Sequence, residues 1–187
     1  DMLFSSMIFL WLFLPVVFIV SRWMGIRQQN IFLLAASLFF YAWGEPKYVL
    51  LMLLSIFLYW SCGMLLERFP PGRRFILWTG IVLNLSLLGY YKYLGLFCRT
   101  LNHLLPGEPL EIPGIALPIG ISFFTFQALS YVIDVYRGEC KVQRNILSLA
   151  LYISFFPQLI AGPIVKYKDV NAQIEERDVT VEKLAAG

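Results

Sequence analysis

Few residues of this chain could do chemistry, and the most telling of them sit inside an apolar run at residues 117–136. Gln127, Ser130, Tyr131 and Asp134 stand at i, i+3, i+4 and i+7, which puts them on one face of a helix. Facing lipid, an Asp near mid-membrane costs about 2.5 to 3.5 kcal/mol on insertion scales. The stripe is therefore expected to face protein or a water-filled cavity. Two roles stay open: Asp134 pairs with Arg137 as structural glue, or the four residues line a substrate path. Nearby, Ser122 and Thr125 are expected to bond back to their own helix backbone. Residues 119–122 supply small side chains suited to close helix approach. Asn84 and Ser86 read as interhelical hydrogen bonds rather than as ligands.

Acid–base chemistry near neutral pH points first to histidine. His103 is the only one, and it falls in the proline-rich stretch 98–113 with no carboxylate, Ser or Cys partner at a recognisable spacing. It reads as an ordinary loop residue, so no catalytic residue is assigned. Cys62, Cys98 and Cys140 form no CxxC pair and no even-numbered framework, and with a single histidine they imply no metal site. Cys62 reads as a small buried residue, and a lone loop cysteine such as Cys140 is weak evidence for lipidation. The chain contains no Gly-rich phosphate loop, HExxH or GxSxG.

The elements that must hold these residues are membrane spans. Of 187 residues 59% are apolar and 14% charged, with a mean hydropathy of +0.70, against about half and a quarter in soluble domains. The apolar residues fall in blocks at 3–21, 30–43, 48–66, 75–95, 117–136 and 145–160, separated by short charged loops. The expected fold is an all-α polytopic transmembrane helix bundle of about five to six membrane segments. The breakers at 156–164, including Pro157, Gly162 and Pro163, suit a broken or re-entrant sixth segment. Residues 1–164 form the transmembrane part, and 165–187 a polar surface or interfacial helix. Pro15 would kink the first span. That span lacks a basic n-region and is long enough to cross by itself, so it is not expected to be a cleaved signal. Met2 is then the natural start and Asp1 a processing remnant.

Loop charge gives an orientation. Arg22 and Arg27 lie in the first loop; Arg68, Arg73 and Arg74 outnumber Glu67 in the third; Arg137, Lys141 and Arg144 outnumber Glu139 in the fifth. The second loop balances Glu45 against Lys47, and the fourth sets Arg99 against Glu108 and Glu111. Odd loops inside places the N-terminus outside. The net charge of +3 is scattered, and no basic stripe interleaves with aromatics, which argues against nucleic acid.

Leu117-Pro118-Ile119-Gly120-Ile121-Ser122-Phe123-Phe124-Thr125-Phe126-Gln127, followed by Ser130 through Gly138, closely resembles a signature of the membrane-bound O-acyltransferases. Within that family the chain resembles the branch of alginate O-acetylases and of the D-alanyl-transfer proteins of teichoic acid modification. Met2-Leu3-Phe4-Ser5-Ser6, Phe39 to Trp43, Gly89 to Tyr93 and Phe155 to Ile164 fit the alginate branch as well. The family motif positions are thus Ser122, Arg137, Pro157, Gly162 and Pro163. The resemblance implies a bacterial inner-membrane enzyme that passes acetyl or similar acyl groups across the bilayer to an exopolysaccharide such as alginate. It implies an acyl-CoA, such as acetyl-CoA, or an acyl-carrier thioester as donor, with no covalently bound cofactor, and periplasmic acetyltransferase partners. The family's histidine lies on an apolar helix further along than this chain reaches, and His103 matches neither its motif nor its setting. The chain is accordingly read as the N-terminal portion of such an enzyme, inactive alone. A non-enzymatic transport or scaffold protein is the rival reading, weakened by the lack of inverted repeats.

Overall fold

A computed structural model of the chain describes residues 9–44, 46–104, 118, 120–157, 167 and 170. Among them all regular structure is helical, as the long apolar blocks predict. A π-helical turn, Phe9–Phe13, leads into α1 (Leu14–Arg22), with α2 (Ile26–Gly44) and α3 (Val49–Arg68) following. A 3-10 turn at Pro70–Gly72 opens α4 (Arg73–Leu88), which continues through a π-helical turn, Gly89–Tyr93, into α5 (Leu94–Leu104). Then come α6 (Ile121–Arg137) and α7 (Ile146–Ser154).

Several boundaries differ from the hydropathy blocks. The second block grows into the 19-residue α2 because Arg27, Gln28 and Gln29, though polar, are good helix formers. The fourth does not stop at Gly95: Pro70–Leu104 is one helical run of 35 residues, about 52 Å at 1.5 Å per residue. Pro15 lies inside the first apolar helix as expected, directly after the π-helical turn in a continuous helical run from Phe9 to Arg22. The helix of the fifth block begins at Ile121, with Gly120 in a left-handed conformation (φ 74°) as its N-cap. Asn145 starts α7 by accepting the Leu147 N–H at 3.0 Å. Residues 158–164, which carry the expected re-entrant breakers, lie outside the described residues, as does most of 165–187.

Two helices are long and apolar enough to cross a membrane, Val49–Arg68 and Pro70–Leu104, and Trp11–Arg22 is a shorter apolar helix. α3 is apolar on all sides: Met52, Ile56, Tyr59 and Leu66 are buried while Leu50, Leu54 and Phe57 are exposed. α4 divides its faces at helical spacing. Gly80, Asn84 and Leu88 point inward, whereas Phe75, Trp78, Val82 and Leu85 are all more than half exposed.

Within the bundle α6 packs between α3 and α4, and α7 against α2 and α3. Their buried faces share one core containing Met52, Ile56, Phe124, Ala128, Tyr131, Val132, Leu149 and Ile153. A smaller cluster of Val17, Ala36, Phe40 and Phe156 attaches α1. In it the Phe13 ring meets Phe156 edge-on at 5.4 Å.

Candidate functional site

The polar stripe sits on α6, a helix closed by glycine at both ends. At its C-terminus Gly138 takes a left-handed conformation (φ 76°). Its N–H donates to the Val135 carbonyl at 3.1 Å, and the Glu139 N–H donates to the Asp134 carbonyl at 2.9 Å. At the same end Nη2 of Arg73 donates to the Val135 carbonyl, which it shares with Gly138, at 3.1 Å and to the Tyr136 carbonyl at 2.9 Å. The same guanidinium lies 5.6 Å above the Tyr136 ring. Arg73, which hydropathy reads only as a loop charge reporting topology, thus clamps the end of α6 to the start of α4.

The stripe faces protein. Gln127, Tyr131 and Asp134 are buried, and Ser130 is half-buried. Nε2 of Gln127 donates to the Tyr152 carbonyl at 2.9 Å, tying α6 to α7. Ser130 Oγ donates to the Gln127 carbonyl at 2.9 Å and lies 3.4 Å from the Tyr152 hydroxyl. The Tyr131 hydroxyl accepts the Gln143 N–H at 3.0 Å. Its ring stands edge-on to Tyr167 at 5.0 Å, and Tyr167 meets Tyr152 in the same way at 5.1 Å. Nε2 of Gln143 closes the circuit, donating to the Tyr167 hydroxyl at 2.7 Å. Tyr167 falls in the stretch read as a polar surface tail, yet it is 1% exposed.

The expected Asp134–Arg137 pair is replaced. Arg137, its side chain 64% exposed, lies 3.8 Å from Glu139, while Asp134 is 5% exposed. Of the flanking hydroxyls, Thr125 bonds back to the Ile121 and Ser122 carbonyls as expected. Ser122 does not; its Oγ accepts from Lys92 Nζ at 3.4 Å, because at the exposed first turn a neighbouring cation is in reach. Asn84 does bridge helices, its Nδ2 donating to the Thr125 carbonyl at 2.6 Å. Ser86 is exposed and points away from that contact.

Close helix approach occurs at a glycine that sequence patterning does not single out. A Cβ on Gly63 would lie 2.6 Å from the Tyr131 hydroxyl, so α3 makes room there for the stripe's central side chain. His103 is helical rather than in a loop, exposed in the last turn of α5. Pro157 is half-buried beside Phe156; Gly162 and Pro163 lie outside the described residues. In the loop after α6, burial first and then the carboxylates of Asp134 and Glu139 push the Cys140 thiol up to about 11. That loop reaches the stripe through Gln143, a partner with no periodicity to reveal it.

Taken together, the stripe and its partners form a buried hydrogen-bonded wall joining α6 to α7 and to the loop between them. The chain is 40% identical over 193 residues to the probable alginate O-acetylase AlgI of Pseudomonas aeruginosa, a match that takes in all of this chain and 37% of that protein. It is 38% identical over 193 residues to the protein of the same name from Azotobacter vinelandii, covering all of this chain and 38% of the relative. The peptidoglycan O-acetyltransferase of Helicobacter pylori is 31% identical over 208 residues, covering 95% of this chain and 39% of its own length. No family model matches the chain, and no solved structure matches it. The relatives define a class of O-acetylating proteins. Within that class the chain belongs with the alginate O-acetylase-like branch of the membrane-bound O-acyltransferases. It spans less than half the length of the curated relatives it matches.

Proposed function

We propose that this chain is part of a membrane-bound O-acyltransferase that moves acetyl or similar acyl groups across the bacterial inner membrane to O-acylate an exopolysaccharide such as alginate. The similarity to O-acetylating proteins along the full chain carries this reading. The outward apolar side chains of α3 and α4 support membrane residence, since a soluble surface rarely exposes so continuous an apolar face. In this reading the donor is acetyl-CoA or an acyl-carrier thioester on the cytoplasmic side, the basic loops face that side, and the N-terminus lies outside. Periplasmic acetyltransferases complete delivery to the polysaccharide. Gln127, Ser130, Tyr131 and Asp134 act as structural glue that holds α6 within the bundle.

The test is to delete the complete gene from its host and measure O-acetyl groups on the secreted polysaccharide by NMR. Loss of acetylation, restored by the complete gene on a plasmid, is the expected result. Unchanged acetylation, with an altered transport phenotype instead, would reject it in favour of a transport protein.

A further inference from the structure

The turn between α3 and α4 and the loop between α6 and α7 meet at one end of the bundle. Together these segments carry Arg68, Arg73, Arg74, Arg137, Lys141 and Arg144 against Glu67, Asp134 and Glu139. A cleft of about 430 Å³ opens between them, lined by Glu67, Arg73, Cys140, Lys141 and Arg144 over a floor that includes Leu66 and Val135. Its one lining carboxylate is already engaged: Glu67 Oε1 lies 3.3 Å from Nη2 of Arg144. The thiol of Cys140 has its pKa at about 11 and is neutral at pH 7. Lys141 stands exposed at the cleft, so positive charge is left to receive an anion.

Directly beside the cleft runs a second groove of about 600 Å³, and the two share Glu67 and Arg144. This groove follows the outer face of α3 along Trp60, Met64 and Leu65 and is mainly apolar. A cationic cleft opening onto an apolar groove has the two-part chemistry of an amphiphile. A free phosphate would use the cleft and leave the groove bare. Basic pockets between helices at the cytoplasmic side are suited to anionic lipid headgroups.

We propose that cleft and groove together bind one anionic phospholipid, its phosphate at Lys141, Arg73 and Arg144 and an acyl chain along Trp60, Met64 and Leu65. This rests on membrane residence in the reading above and not on acyl transfer. The lipid would bolt the α3–α4 turn to the loop that carries Gln143, and through Gln143 would reach the stripe.

The experiment uses the complete protein purified in detergent, with bound lipid counted by native mass spectrometry. Phosphatidylglycerol, phosphatidylcholine and inorganic phosphate are titrated separately, and phosphate is also tried as a competitor. Phosphatidylglycerol is expected to bind at least fivefold more tightly than phosphatidylcholine. Lys141→Gln should weaken it about fivefold, the share of one basic side chain near a lipid surface, without moving the melting temperature. Leu65→Asn should weaken both lipids alike. Equal binding of the two lipids, or undiminished binding by Lys141→Gln, would overturn the proposal. Phosphate displacing phosphatidylglycerol at equal concentration would reassign the cleft to free phosphate. Acyl transfer measured on the same variants separates this outcome from the enzymatic reading.

Discussion

At the residue scale the stripe on α6 is bound by specific partners, and these partners predict how substitutions behave. Gln127 and the Tyr152 carbonyl it serves belong to buried residues. Gln127→Leu removes that hydrogen bond, at a cost of about 1 kcal/mol between membrane helices. We expect Gln127→Leu and Asp134→Asn to lower the folded fraction in detergent while activity per folded molecule stays within about twofold. A normal folded fraction with a large loss of specific activity would instead make the stripe a substrate path. Gly63 and Gly80 provide a contrast within the same core. A methyl on Gly63 would meet the Tyr131 hydroxyl at 2.6 Å, and one on Gly80 would meet Val132 Cγ1 at an ordinary 3.8 Å. Overpacking costs about 1 to 3 kcal/mol, and replacing a helical glycine with alanine returns up to about 1 kcal/mol. Gly63→Ala should therefore lower the melting temperature and Gly80→Ala hold or raise it. A higher melting temperature for Gly63→Ala would show that α3 shifts freely away from Tyr131.

At the element scale the long helix from Pro70 to Leu104 is too long for the bilayer. The hydrocarbon core is about 30 Å thick, and the 19 residues from Arg74 to Lys92 already cover about 28 Å. Lys92 lies 5.6 Å over the Tyr93 ring, beside Tyr90 and Tyr91, whose rings meet edge-on at 5.1 Å. An aromatic and cationic cluster of this kind suits the headgroup layer. In the proposed topology α5 then lies beyond the hydrocarbon, consistent with none of its residues being buried. With the native cysteines replaced, a cysteine at Thr100 should react with a membrane-impermeant thiol reagent added to intact cells, and one at Arg74 should not. The reverse pattern would invert the proposed orientation. Much of this element was legible from hydropathy, since its apolar body and tyrosine-rich boundary both stand in the sequence. Its continuation past Gly95 was not, because Leu94 to Leu104 is too polar to register as a span and yet helical. The stripe was legible because a period of 3.6 is local. Its partners Gln143, Tyr152 and Tyr167 lie on other segments, and only packing brings them to it. The same reason hid Gly63 and the Arg73 clamp, both defined by what stands opposite them.

At the scale of the whole molecule, acyl transfer to a hydroxyl needs a group to accept the hydroxyl proton, and a positioned base contributes about 10²- to 10⁴-fold. The side chains of this chain supply no such arrangement among the described residues. His103 is exposed at the end of α5, and no hydrogen bond or ion pair to its ring is found among the described residues. Glu67 is engaged by Arg144, and Glu139 lies near Arg137. Asp134 is buried within the wall of the bundle, away from any acceptor the size of a polysaccharide. We therefore predict that the 187-residue chain expressed by itself consumes no acyl donor, whether or not polysaccharide is present. The measurement is donor thioester hydrolysis and acetyl transfer by the chain purified in detergent, beside its His103→Ala variant and the complete protein. Turnover by the chain that disappears in His103→Ala would make it a minimal enzyme with its base on α5. Turnover confined to the complete protein and insensitive to His103→Ala would place the base outside these residues, leaving this chain to supply walls and lipid contacts to an active site completed elsewhere.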